Sequence, residues 1–91
     1  MIGSLRMELR LPGCRSLKEK RSILRRYIEN MRRTYGVAVA EIDAHDSLQH
    51  AVIEAAAVSN ARAQLHRVLT KVMRDADRPG EMTLTDGEMS I

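Results

Sequence analysis

The stretch from Arg15 to Tyr35, RSLKEKRSILRRYIENMRRTY, constrains this chain more than any other. At 100° per residue, Leu17, Leu24, Tyr27, Ile28, Met31 and Tyr35 fall in one stripe about 120° wide, the signature of a helix with one buried face. Ser16 and Glu19 have capping-box spacing. The serine oxygen can accept from the Glu19 amide while the glutamate reaches back to the Ser16 amide. Gly36 follows the last periodic residue, where a left-handed cap is wanted. The spacing therefore predicts a helix that opens at Ser16 and closes at Gly36. The same stretch carries eight of the chain's 15 Lys and Arg residues: Arg15, Lys18, Lys20, Arg21, Arg25, Arg26, Arg32 and Arg33.

The segments around it alternate in period. In residues 2–11, Leu5, Met7, Leu9 and Leu11 alternate with Arg6, Glu8 and Arg10, the period of 2 of a half-buried strand. Pro12-Gly13 ends it. Residues 37–42 (VAVAEI) read as a second strand, 43–49 (DAHDSLQ) as a polar turn, and 50–58 (HAVIEAAAV) as a third strand. Ser59 and Asn60 are both suitable N-caps for a helix over about 61–76. Its stripe is Ala61, Leu65, Val68, Leu69, Val72 and Ala76, with Met73 at the margin. Asp77-Arg78-Pro79-Gly80 stops it. Residues 81–91 form the last strand. Its apolar positions change phase between Met82/Leu84 and Met89/Ile91, which places a bulge or bend at Gly87.

The resulting order, βαββαβ, is that of a ferredoxin-like α+β sandwich: a four-stranded antiparallel sheet with two helices on one face. One domain over residues 1–91 is expected, since a chain of this length has room for a single core. The other face of the sheet stays open. Glu41 and Glu54 mark it as the wet face, and the same phase puts Val37, Val39, Val52, Ala56 and Val58 there. That surface is apolar enough to pair two copies, so a homodimer through the open sheet face is expected.

Composition narrows the chemistry. The net charge is +3, there is one cysteine, and the aromatic set is two Tyr with no Phe or Trp. A single cysteine excludes an internal disulfide and suits a reducing compartment. The start, MIGSLRMELRL, is broken by Arg6, Glu8 and Arg10 and is neither a signal peptide nor a membrane span, so a cytoplasmic location without membrane association is expected. An RNA-recognition sheet of this topology stacks bases on aromatics in its central strands. Here both tyrosines, Tyr27 and Tyr35, belong to the helical core stripe, which removes that route.

What remains is the basic helix. Lys18, Arg21, Arg25 and Arg32 lie along one flank, Arg26 and Arg33 continue round the back, and only Glu19 and Glu29 dilute them. Such a ridge can neutralise several phosphates, with arginine adding bidentate geometry. The plainer reading is a solvated helix surface that supplies solubility. Arg62, Arg67, Lys71 and Arg74 on the second helix would widen the cationic face. Cys14 precedes the helix start, where the dipole can lower a thiol pKa. Asp43, His45, Asp46 and His50 are metal-competent residue types, but their spacing matches no metal motif and suits a turn equally well. His66 falls on the flank of the second helix. No Gly-rich phosphate loop, nucleophile elbow or H-E-x-x-H is present. No catalytic residue, metal or cofactor is assigned.

The residues LPGCRSLKEKRSILRRYIENMRRTYGVAVAEID and HDSLQHAVIEAAAVSN resemble the YlxP-like family of bacterial domains of unknown function. The landmarks are Gly13, the block Ser16-Leu17-Lys18-Glu19-Lys20-Arg21, the segment Val39-Ala40-Glu41-Ile42-Asp43, Asp46 with Gln49, and Val58-Ser59-Asn60. The resemblance implies a ferredoxin-like fold in a small cytoplasmic bacterial protein. Genes of the family this chain resembles are often neighbours of those for translation initiation factor two and ribosome-binding factor A, so the resemblance implies, by association alone, a role around RNA or the ribosome. It carries over no catalytic residue. The chain departs from the family pattern at Glu54, where a small residue is usual, at Ala61, where an acidic one is, and at Gly87, where an aromatic one is. The expectation is a non-catalytic accessory protein holding RNA, the ribosome or another polyanion through Lys18, Arg21, Arg25, Arg26, Arg32 and Arg33. The alternatives are a dimeric small-molecule-binding or enzyme-subunit domain, with Cys14, His45 and His50 at its pocket, and a protein–protein adaptor.

Overall fold

Alternating side chains in four segments and 3.6-residue stripes in two produce the expected order in the computed structural model, which describes residues 1–91. The elements are β1 (Ile2–Arg10), α1 (Leu17–Tyr35), β2 (Ala38–Asp43), β3 (His50–Val58), α2 (Arg62–Asp75) and β4 (Thr83–Ser90). The strands form one antiparallel sheet in the order β2-β3-β1-β4. This is the ferredoxin-like arrangement. The core lies between the sheet and the helices. Leu5, Met7 and Leu9 of β1 and Ala51, Ile53 and Ala55 of β3 meet Leu24, Tyr27 and Met31 of α1 and Leu69 and Val72 of α2. Each large side chain so buried contributes about 1.5–3 kcal/mol.

The ends of α1 form as the sequence requires. Ser16 Oγ accepts from the Glu19 amide at 3.1 Å. The return bond goes one residue further than expected: Glu19 Oε2 accepts from the Arg15 amide, at 3.4 Å. Gly36 takes φ 65° and donates its amide to the Arg32 carbonyl at 3.0 Å. A left-handed φ of this kind costs a residue with a Cβ roughly 1–2 kcal/mol.

The caps of α2 differ from expectation. Neither Ser59 nor Asn60 is the N-cap; Ala61 is, exposed rather than in the buried stripe, and its own side chain makes no capping bond. Ser59 still contributes, because its hydroxyl accepts from the Ala61 amide at 3.1 Å. At the other end the last four carbonyls all find donors. The Tyr27 hydroxyl donates to Val72 O at 2.7 Å, the amides of Ala76 and Asp77 donate to Met73 O and Arg74 O, and Arg78 Nε donates to Asp75 O. Tyr27 thus anchors α1 to α2 with a polar bond inside the core. Burial pushes its hydroxyl pKa well up, with the nearby Asp75 carboxylate adding to the effect. The Arg78 guanidinium lies over its ring, 5.7 Å from the centroid.

Two strand details correct the sequence reading. In β2, Val39 pairs with Ala55 and Glu41 with Ile53, both on the helix side. Val37 and Val39 are buried in the core rather than on the open face, and Glu41 turns to α1 with them. A glutamate in a strand ordinarily marks the face toward water; here its partner is the buried Lys20, which reverses the phase. The open side of β2 carries Ala38 and Ala40 instead. In β4 the irregularity lies at Thr85, between the Leu9–Leu84 and Glu8–Asp86 pairs, and not at Gly87. Gly87 serves close approach: a Cβ there would stand 2.6 Å from Met73 Sδ, so its absence lets α2 settle on the strand.

Tyr27→Phe leaves Val72 O buried without its donor and is expected to lower the unfolding free energy by about 1–3 kcal/mol. Urea denaturation measures this; an unchanged midpoint would contradict the role given to the hydroxyl.

Candidate polyanion interface

One of the eight basic residues of this helical stretch does not face water. Lys20 lies on the buried stripe, three residues after Leu17 and four before Leu24, and it is 1% exposed. Its Nζ donates to the Ala44 carbonyl at 2.7 Å and stands 3.0 Å from Glu41 Oε2. A buried ammonium requires such partners. Ala44 holds a left-handed φ of 61°, and its amide donates to Asp43 Oδ1 at 2.7 Å. A ring nitrogen of His45 sits 3.1 Å from the Glu41 carbonyl. Lys20 therefore fixes the turn between β2 and β3 and is not available to a ligand. Spacing alone could have identified it, since 17, 20, 24, 27 and 31 form one helical row.

The six candidate cations divide by environment. Lys18, Arg21, Arg25 and Arg26 are exposed and, with Ser22, line a surface hollow of about 560 Å³ that has no carboxylate in its wall. No carboxylate lies within ion-pair distance of Lys18, Arg21 or Arg25. Arg21 Nε donates to its own helix at Leu17 O, 3.3 Å away, leaving the terminal nitrogens outward. Arg26 is 3.4 Å from Glu81 Oε2 with 62% of its side chain exposed. A surface pair of this kind contributes at most about 1 kcal/mol and yields to a better anion.

The remaining two sit elsewhere. Arg32 turns sideways and donates to the Val39 carbonyl at 2.7 Å, on the edge strand β2. Arg33 Nη2 donates to Asn30 Oδ1 at 3.4 Å. On α2, Arg62, Arg67, Lys71 and Arg74 are exposed, and Arg67 and Lys71 have no carboxylate within ion-pair distance. The helices meet through Tyr27 and through Tyr35, whose hydroxyl donates to Asp75 Oδ2 at 2.7 Å. That bond, with burial, raises the Tyr35 pKa.

The other candidates separate. Cys14 is buried, and burial, reinforced by Glu19, pushes its thiol pKa up, the opposite of the activation a helix start can give. No three of the His, Cys, Asp and Glu side chains come together as a metal-holding group. His50 sits on β3 opposite Arg10, on the open sheet face. A hollow of about 530 Å³ beside the start of α1 is lined by Glu19 and Glu81 as well as Lys18 and Arg26, so its charge is mixed. Gln49 donates to Pro12 O and Cys14 O, both at 3.3 Å, and ties the β1–α1 loop to β3. The open face carries Arg6, Glu8, Arg10, Glu54, Ala56 and Val58 from its central strands, with Arg6 between Glu54 and Glu88 in register. Its most exposed apolar side chains are the cross-strand pair Ile2 and Val58, 68% and 77% exposed, with Ala38, Ala40 and Ala56 on the same face; Val52, in register with Glu8, lies on that face too but is buried. No helix is long and apolar enough to cross a membrane.

Comparison with known proteins agrees with the resemblance seen in the landmarks. A family model described as a protein of unknown function, DUF503, matches residues 2–89. The uncharacterized protein YlxP of Bacillus subtilis (strain 168) is 33% identical over 85 residues, 93% of this chain and 92% of the relative.

Proposed function

We propose a function for a chain that belongs to the DUF503 family: it is a non-catalytic accessory protein that holds RNA through the outer face of α1. The observation that carries this reading is the hollow formed by Lys18, Arg21, Arg25 and Arg26 with Ser22, four cations around a wall without a carboxylate. Phosphate oxygens are the anions that such a cluster selects at regular spacing, and arginine holds them bidentately. The cations stand on one rigid helix whose start is capped and whose inner face is packed, so they are held in place before the partner arrives. Recognition of this kind is directed to the backbone and discriminates little between sequences. Arg33 extends the ridge at the far end of the helix. Arg32, engaged with β2, contributes through its charge. A ribosomal RNA surface, in the cytoplasm, is the partner this reading favours.

Structured RNA should bind with an affinity that falls about 100-fold between roughly 50 and 200 mM salt, as expected for about four neutralised phosphates. Arg21→Glu with Arg25→Glu should weaken it at least about tenfold more at low salt. Fluorescence anisotropy on an RNA hairpin measures both; affinity indifferent to salt and to the substitutions would remove the reading.

A second reading concerns self-association. The exposed pair Ile2 and Val58 supports a homodimer through the open sheet face. Two copies joined there would present two basic helices on opposite outer surfaces. Sedimentation equilibrium should then show a dimer at micromolar concentration that Val58→Lys dissociates. A monomer at high micromolar concentration would exclude it.

A further inference from the structure

The sheet has two edges, and they differ in how much regular strand they leave open. The β2 edge is short, is interrupted between Glu41 and Asp43, and has the Arg32 guanidinium on the Val39 carbonyl. These are devices that block pairing with another strand. The β4 edge carries a bulge of its own at Thr85, and the Asp77 carboxylate accepts from the Leu84 amide at 3.2 Å. Beyond the bulge, residues 86–90 run regularly, contain no proline and pair with no strand but β1, so this stretch is the free part of the edge. Beside it, between β4 and α2, lies a groove of about 1010 Å³. Its apolar surface comes from Ala63 and Met73 of α2 and from Met89 and Ile91, with Arg62 and His66 at the rim. Met73 reaches this floor because Gly87 has no side chain.

We propose that the free β4 edge and the groove beside it form a strand-addition site for an extended partner segment that alternates apolar and basic residues. Strand addition takes affinity from main-chain hydrogen bonds and specificity from alternate side chains. An added strand places every second side chain on the helix side, into the groove beside Met73, Met89 and Ile91. The intervening ones fall on the open side, next to Asp86 and Glu88. Register assigns those two carboxylates to the open side through their pairing with Glu8 and Arg6. Neither Asp86 nor Glu88 has a cation within ion-pair distance in the chain itself. The charges thus call for Lys or Arg on the open side. The apolar walls from Ala63, Met73, Met89 and Ile91 call for apolar residues on the groove side. A second copy of β4 paired antiparallel about Gly87 sets Asp86 opposite Glu88, and like charges directly opposite destabilise that pair. The site shares no residue with the hollow on α1 and does not depend on it.

The test uses the whole chain and three end-blocked peptides: VKVKIRVKV, its acidic counterpart VEVEIEVEV, and VVIVVKKRK, which has the composition of the first without its alternation. Fluorescence anisotropy and amide hydrogen exchange are the readouts. The alternating basic peptide should bind alone among the three and slow exchange in β4. Asp86→Lys with Glu88→Lys should weaken it about tenfold. Equal binding of either control, protection on β2 or α1 instead of β4, or β4 protection that appears by self-association without peptide would overturn the proposal. Should the double variant fail to fold, the exchange pattern of the unaltered chain decides.

Discussion

The buried ammonium of Lys20 is the constraint from which much of this molecule follows. An unpaired charge at that depth costs several kcal/mol, so partners must be built around it. Glu41 supplies the opposite charge and Ala44 a carbonyl. To present them, β2 must turn Glu41 toward α1, and the chain must pass through a left-handed residue at Ala44. One side chain thus sets the phase of an edge strand, the shape of the following turn and the seat of the N-terminal half of α1. Arg32, three turns further along, holds the same strand by the Val39 carbonyl. Two of the helix's basic residues are therefore structural, and both act on β2.

This single arrangement explains where the sequence was legible and where it was not. Ser16 and Gly36 were legible because caps depend on local geometry: a hydroxyl three residues before an amide, and a residue free to take positive φ. The alternation of Leu5, Met7 and Leu9 was legible because period 2 with polar intervals has one meaning. Glu41 reads as surface because charged residues usually are, and Lys20 reads as one more basic residue of the helix. The error at one hid the other, and Val37 and Val39 followed Glu41 to the wrong face. A buried ion pair makes two charged residues look exposed in sequence although they satisfy each other in the fold. The bulge at Thr85 escaped for a related reason. Gly87 is the residue type that commonly marks a bulge, yet here it makes room for Met73 across the sheet–helix interface. Only tertiary packing distinguishes the two uses.

The candidate site was legible as a residue set but not as an arrangement. Periodicity placed Lys18, Arg21, Arg25 and Arg26 outward, and they do enclose one hollow. It could not show that Arg32 is drawn to a strand edge, since that depends on how far β2 lies from the helix flank. The landmarks that carry the family resemblance serve mainly to build the scaffold. Ser16 caps α1, Lys20 and Glu41 lock the β2–β3 turn, and Gln49 ties the β1–α1 loop to the sheet. A rigid helix with a cationic outer face is the product of that scaffold, and the free acidic edge of β4 lies on the far strand of the same sheet.

The account stands on a division of labour among basic residues of one helix, and Lys20→Ala tests it most directly. Urea unfolding and RNA affinity are to be measured on the same preparation. The account predicts a loss of about 2–4 kcal/mol in stability, from the orphaned Glu41 carboxylate and Ala44 carbonyl, with the affinity of the folded fraction unchanged. Unchanged stability, or a loss of affinity comparable to that of the Arg21→Glu and Arg25→Glu variant, would contradict it.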